Sequence, residues 1–126
     1  MAGFVFCRKG AFLLQDNIVL QDGSGKIVFH QYSFCELLKH LLVSYVGITY
    51  AEASDAVENS HLSKPAESAA EAGLLGHEYA YYWAMSLYYG NMFWEKGIPV
   101  QSDDLAVYFE LENRIIKRYH LNDYVV

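Results

Sequence analysis

Three features of this chain predict an α+β fold: short β-branched and aromatic runs within residues 3–31, amphipathic helical stripes thereafter, and an almost wholly apolar segment from Gly76 to Lys96. The expected architecture is an N-terminal antiparallel β-meander of three or four short strands packed on a body of four or five helices, with the aromatic helix at its centre. At 126 residues the chain is one domain, able to bury a core without disulfide or metal staples. Residues 1–31 would hold the meander, 33–120 the helical body, and 121–126 a tail that frays or adds an edge strand.

The strand runs are GFVFC, AFLL, NIVL and KIVFH, separated by RKG, QD and QDGSG, which supply the residues that turns require. Ile18 to Leu20 should pair with Ile27 to Phe29 across Asp22-Gly23-Ser24-Gly25. That glycine-rich turn lacks a following Lys-Ser/Thr and leads into a strand, so it is a hairpin turn and not a phosphate loop.

Ser33-Phe34-Cys35-Glu36 matches a capping box, and Phe34, Leu37, Leu38, Leu41, Leu42 and Tyr45 then form a continuous apolar stripe. Gly47 suits a left-handed helix stop. Thr49-Tyr50-Ala51-Glu52 is a second capping box, opening a helix to about Ser60. The two helices have the order of a helix-turn-helix unit. The would-be recognition helix carries Glu52, Asp55 and Glu58 and no Lys or Arg, which disfavours DNA.

Pro65 suits a first helical turn, and one long helix with a soft point at Gly73 and Gly76 is expected from there to about Glu95. Small residues at Ala69, Ala70, Ala72 and Gly73 would let a neighbouring helix approach closely. From Tyr79 to Trp94 no polar stripe remains to face water, so this stretch should be surrounded by protein. It is too short to span a bilayer and too rich in tyrosine hydroxyls for hydrocarbon. Gly97 and Pro99 end it. Ser102, Asp103 and Asp104 then start a final helix with Leu105, Tyr108, Phe109, Ile115, Ile116 and Tyr119 on its apolar side and Arg114, Lys117, Arg118 and His120 at its basic end.

The formal charge of −6 repels phosphate backbones, which argues against nucleic acid and for a basic protein partner. Two cysteines, Cys7 and Cys35, and an N-terminus without secretory character point to a reducing cytoplasm. Cys35 at a helix start reads either as an activated thiol or, beside Phe34 and Leu38, as a buried structural one.

No cofactor or metal pattern reaches specificity. Glu58-x-x-His61 is a single pair where a bundle di-iron site needs two, and His77-Glu78 lacks the second histidine of a zinc-protease helix. The strongest signal is the aromatic excess, in the form that interface hot spots take. His77, Tyr81, Tyr82, Trp83, Tyr88, Tyr89, Phe93 and Trp94 are therefore the candidate interface or pocket residues. The expected function is non-enzymatic protein binding, regulatory or adaptor-like, by a homodimer using the aromatic helix. The alternative is a small-ligand protein or enzyme with an aromatic pocket near His77 and Tyr81.

Overall fold

The computed structural model describes residues 14–23, 25–101 and 104–122. It is mainly helical, with five α-helices behind an N-terminal antiparallel hairpin. The hairpin consists of β1 (Ile18–Asp22) and β2 (Gly25–Phe29), in the register Ile18 to Phe29, Leu20 to Ile27 and Asp22 to Gly25. Only these two strands lie among the described residues. The expected strands of Gly3–Cys7 and Ala11–Phe12–Leu13 lie outside them, and Leu14 is not in a strand.

α1 (Gln31–Val46) follows the hairpin directly, and Gly47 (φ 85°) closes it by donating its N–H to the Val43 carbonyl. α1 occupies the centre of the molecule, packing against the helices α2 (Tyr50–Glu58), α4 (Ala80–Tyr89) and α5 (Leu105–Arg118). The predicted stripe is buried from Phe34 to Leu42, and so are the polar residues Gln31, Ser33, Glu36 and Lys39 on the other sides. Each has partners. Gln31, for example, donates its amide to the Leu62 and Lys64 carbonyls and accepts the Ala66 N–H at 2.9 Å. Burial of these polar residues is tolerated because each is hydrogen-bonded.

The start of α1 departs from expectation. The helix begins two residues before Ser33, and no capping box forms there. Asp16 instead reaches across from the segment before the hairpin, taking the Ser33 N–H at 2.9 Å and the Ser33 hydroxyl at 2.7 Å. Asn122, beyond α5, donates its N–H to Ser33 Oγ at 2.9 Å and its amide to Asp16 at 3.0 Å. Glu36 is left to pair elsewhere. The second capping box is present as expected, with Thr49 and Glu52 satisfying each other's backbone amides.

The long helix from Pro65 does not form. A 3-10 turn, His61–Ser63, leads to α3 (Ala69–Gly76), and α4 is a separate helix. The small residues of α3 admit the hairpin and not a helix: a Cβ on Gly73 would stand 3.3 Å from Ile27 Cδ1. Asp22 at the hairpin end accepts the Ala69 N–H at 2.9 Å, adding to the Ser68 cap. α4 ends at Gly90, whose φ of 99° and ψ of 169° lie in a region essentially reserved for glycine. Met92 then turns left-handed (φ 58°) into a second 3-10 turn, Phe93–Lys96. The aromatic segment is therefore a short helix and a turn on one side of α1, not a central cylinder.

α5 is capped by Asp104, whose carboxylate accepts the Ala106 N–H at 2.9 Å; Ser102 and Asp103 lie outside the described residues. Tyr108 and Ile115 of its expected apolar side are buried, whereas Phe109 and Tyr119 are exposed. Leu121 packs against the core without forming a strand, and residues 123–126 of the expected tail are outside the described set. Among the described residues, no helix is long and apolar enough to cross a membrane.

Candidate functional site

The break between α3 and α4 creates the most distinctive local arrangement. Tyr79 stands in extended conformation ahead of α4 and supplies no side-chain cap. The first amides of a helix need acceptors. Here the Tyr108 hydroxyl, carried in from α5, accepts the Tyr81 N–H at 3.0 Å and donates to Glu112 at 2.7 Å. Tyr108 is 1% exposed, so this bond forms in a dry setting.

Around that buried ring stand three partly exposed ones. Tyr79 packs edge-on against Phe109 at 5.4 Å and tilts on Tyr108 at 6.0 Å, while Tyr45 at the end of α1 lies 6.4 Å from Tyr108 and meets Tyr81 edge-on at 5.0 Å. Tyr45, Tyr79 and Phe109 are each about two-fifths exposed. Each of the three packs on Tyr108, and they come from α1, α5 and the turn before α4.

The predicted candidates divide. Tyr81 is buried, with its hydroxyl donated to the Pro99 carbonyl at 2.9 Å, and Phe93 is fully buried. Tyr82 and Trp83 are half-buried and meet edge-on at 5.2 Å; Trp83 donates its indole N–H to the Leu75 carbonyl at 2.7 Å, tying α4 to α3. Tyr89 is half-buried, and Tyr88 and Trp94 are exposed. His77 ends α3 as an exposed C-cap. The Tyr81 ring is packed between Tyr45 and Tyr108 with its hydroxyl engaged. Of the aromatic face itself, Tyr45 and Phe109 were anticipated only as core stripe residues and Tyr79 only as the edge of the aromatic helix.

A second cluster joins α1 to α2. Lys39 donates to Glu36 at 2.7 Å and to Glu58 at 3.2 Å; Tyr50 donates to Glu36 at 2.7 Å and Ser54 to Glu58 at 3.0 Å. Burial acts to lower the Lys39 pKa, but the Glu36 hydrogen bond and the Glu36 and Glu58 charges outweigh it and raise it, so the ammonium persists at neutral pH. Burial, reinforced by the Glu36 bond, raises the Tyr50 pKa and keeps its phenol protonated. Burial likewise pushes the Cys35 thiol up to about 12, and it hydrogen-bonds the Leu62 carbonyl at 3.4 Å. Of the two readings of Cys35, the structural thiol holds, since the thiolate is the nucleophile. The cluster is a clamp between helices α1 and α2.

Glu58 thus serves the clamp, and His61 sits exposed in the following turn. Among the described residues no group of three or more potential ligands could hold a metal ion. Family models, curated proteins and solved structures yield no match to the chain.

Proposed function

We propose that this chain is a non-enzymatic protein-binding module, an adaptor or regulator acting in the cytoplasm, and that its docking surface is the aromatic face of Tyr45, Tyr79 and Phe109. One observation carries the reading: three large rings, two of them in contact with each other, are held partly exposed around one buried tyrosine that is already hydrogen-bonded. Tyr108 itself is covered, so the exposed rings are not explained by its burial alone. Aromatic side chains ordered before binding lose little entropy on docking, which is why they serve as hot spots. Glu78 and Glu110 are exposed beside the rings, and the net charge of −6 would steer a basic partner toward them.

Affinity capture and sedimentation with the wild type, a Tyr79→Ser/Phe109→Ser variant and a Trp94→Ser control test this reading. Removing the two rings should weaken the partner interaction on the order of thirtyfold, the mark of a hot spot, with the control unchanged. Equal binding by all three, with folding verified by circular dichroism, refutes it.

A further inference from the structure

Consecutive residues ahead of the hairpin are strapped to the junction between β2 and α1. Gln15 accepts the Tyr32 N–H at 3.2 Å, Asp16 takes the Ser33 N–H and hydroxyl, and Asn17 donates its N–H to His30 Nδ1 at 3.0 Å. Asn17 lies in the left-handed region (φ 61°), which asparagine enters more readily than most residues, and this turn ends the strap before β1 begins. Asn122 joins from beyond α5 through Ser33 and Asp16. One junction therefore holds the segment before β1, the start of α1 and the segment after α5.

The Asn17 bond is the part of this junction that rests on a histidine. A ring nitrogen accepts through its lone pair, so the bond requires a neutral imidazole with Nδ1 unprotonated. In imidazolium both nitrogens are donors, and an Nδ1–H would point at the Asn17 N–H. Proton and bond exclude each other. His30 is also the N-cap residue of α1, where the positive end of a 16-residue helix works against a further positive charge.

The charged and titratable groups that bear on His30 from other elements are few. Asp16 on the strap attracts an imidazolium and so limits the size of the effect. On α1, Tyr32 is a neutral phenol pushed further from ionising by burial, and Glu36 and Lys39 are paired with each other. Asp22 and Lys26 stand at the far end of the hairpin, where Asp22 accepts the Ala69 N–H. Among the described residues His30 makes no ion pair.

We propose that this junction is a pH-sensitive latch: protonation of His30 in mild acid breaks the Asn17 bond, frees the strap from α1 and, through Asp16, loosens Asn122 beyond α5. Asp16 carries the coupling, since it adjoins Asn17 and holds both Ser33 and Asn122. The closed latch cannot take a proton on Nδ1 and the open one can, so acid draws the equilibrium toward opening. Histidine changes charge between about pH 5 and 8, which sets the window. The bond is exposed and single, so the response is graded and the opening local, with the buried stripe of α1 left in place.

Amide exchange followed residue by residue by NMR, corrected for the intrinsic pH dependence of exchange, tests the latch. In the wild type, protection of the Asn17, Tyr32, Ser33 and Asn122 amides should fall about threefold to tenfold between about pH 7.5 and 5.5, while Ala53 in α2 stays level. His30→Asn places a carboxamide oxygen near the position of Nδ1. That oxygen accepts at any pH, so the four amides should keep their neutral-pH protection throughout. His30→Leu offers no acceptor and should show the weaker, acid-level protection at both pH values. His40→Phe should leave the response at Asn17 intact, which separates the latch from the His40 stack on Tyr119. A wild type whose four amides ignore pH overturns the proposal, as does a response that persists in His30→Asn or His30→Leu or vanishes in His40→Phe. A response at Asn17 alone overturns it too, because the strap then stays closed.

Discussion

Tyr108 shows how much of this fold depends on single polar atoms inside apolar surroundings. Its hydroxyl closes the start of α4 from a different helix, a task that a capping serine or aspartate performs locally elsewhere. Tyr108→Phe should keep the ring packing but leave the Tyr81 N–H buried without that acceptor, costing about 1–3 kcal/mol in urea-unfolding free energy. Tyr81→Phe removes a bond to the Pro99 carbonyl at a partly buried site, and should cost about 1 kcal/mol. Equal losses in the two variants would mean that the buried amide finds another acceptor. The same dependence sets Glu36 and Lys39 apart from ordinary surface residues: both are buried, and neither betrays this in sequence, because Glu and Lys on the polar side of an amphipathic stripe ordinarily face water.

Two helix starts with the same S/T-x-x-E pattern came out differently, and the contrast shows what local sequence can settle. Thr49 and Glu52 have no competing partner among the described residues and form the box; Ser33 and Glu36 form none, because Asp16 binds one and Lys39 and Tyr50 bind the other. The Ile18–Leu20 hairpin and the Gly47 stop were likewise legible, since glycine and strand alternation act over a few residues. The division of Pro65 to Glu95 was not, because what favours the break at Tyr79 is a hydroxyl from α5, and helix propensity alone ran through it. Asp16 is the element-scale counterpart, capping α1 and holding Asn122 from the far end of the chain. Asp16→Ala should destabilise by about 1–2 kcal/mol and raise amide exchange both at the start of α1 and beyond the end of α5. Faster exchange at α1 alone would show that the contact with Asn122 contributes nothing to order.

At the scale of the whole molecule, α1 is the hub against which the aromatic elements lean. Which aromatics face outward could not be read from a segment lacking polar markers: adjacent Phe93 and Trp94 are 0% and 40% exposed, a difference decided by the turn after Gly90. The hub is fastened to the end of α5 by His40, which stacks on Tyr119 at 3.9 Å and 14° and faces Tyr50 at 5.1 Å. Burial lowers the His40 pKa below its ordinary 6.5; Lys39 and Arg118 push the same way and Glu36 opposes them. The folded state therefore takes up this proton less readily than the unfolded chain. The resulting stability is fully present above pH 6.5 and is lost as pH falls from there through the depressed folded value. Urea midpoints should thus fall modestly between about pH 7.5 and 5.5, a window above the main carboxylate titrations. His40→Phe keeps an aromatic ring against Tyr119 and removes the proton site, so its midpoint should vary less over that window. An unchanged slope in the variant would show that His40 does not carry the acid sensitivity, and the fastening of α1 to α5 would then be independent of pH.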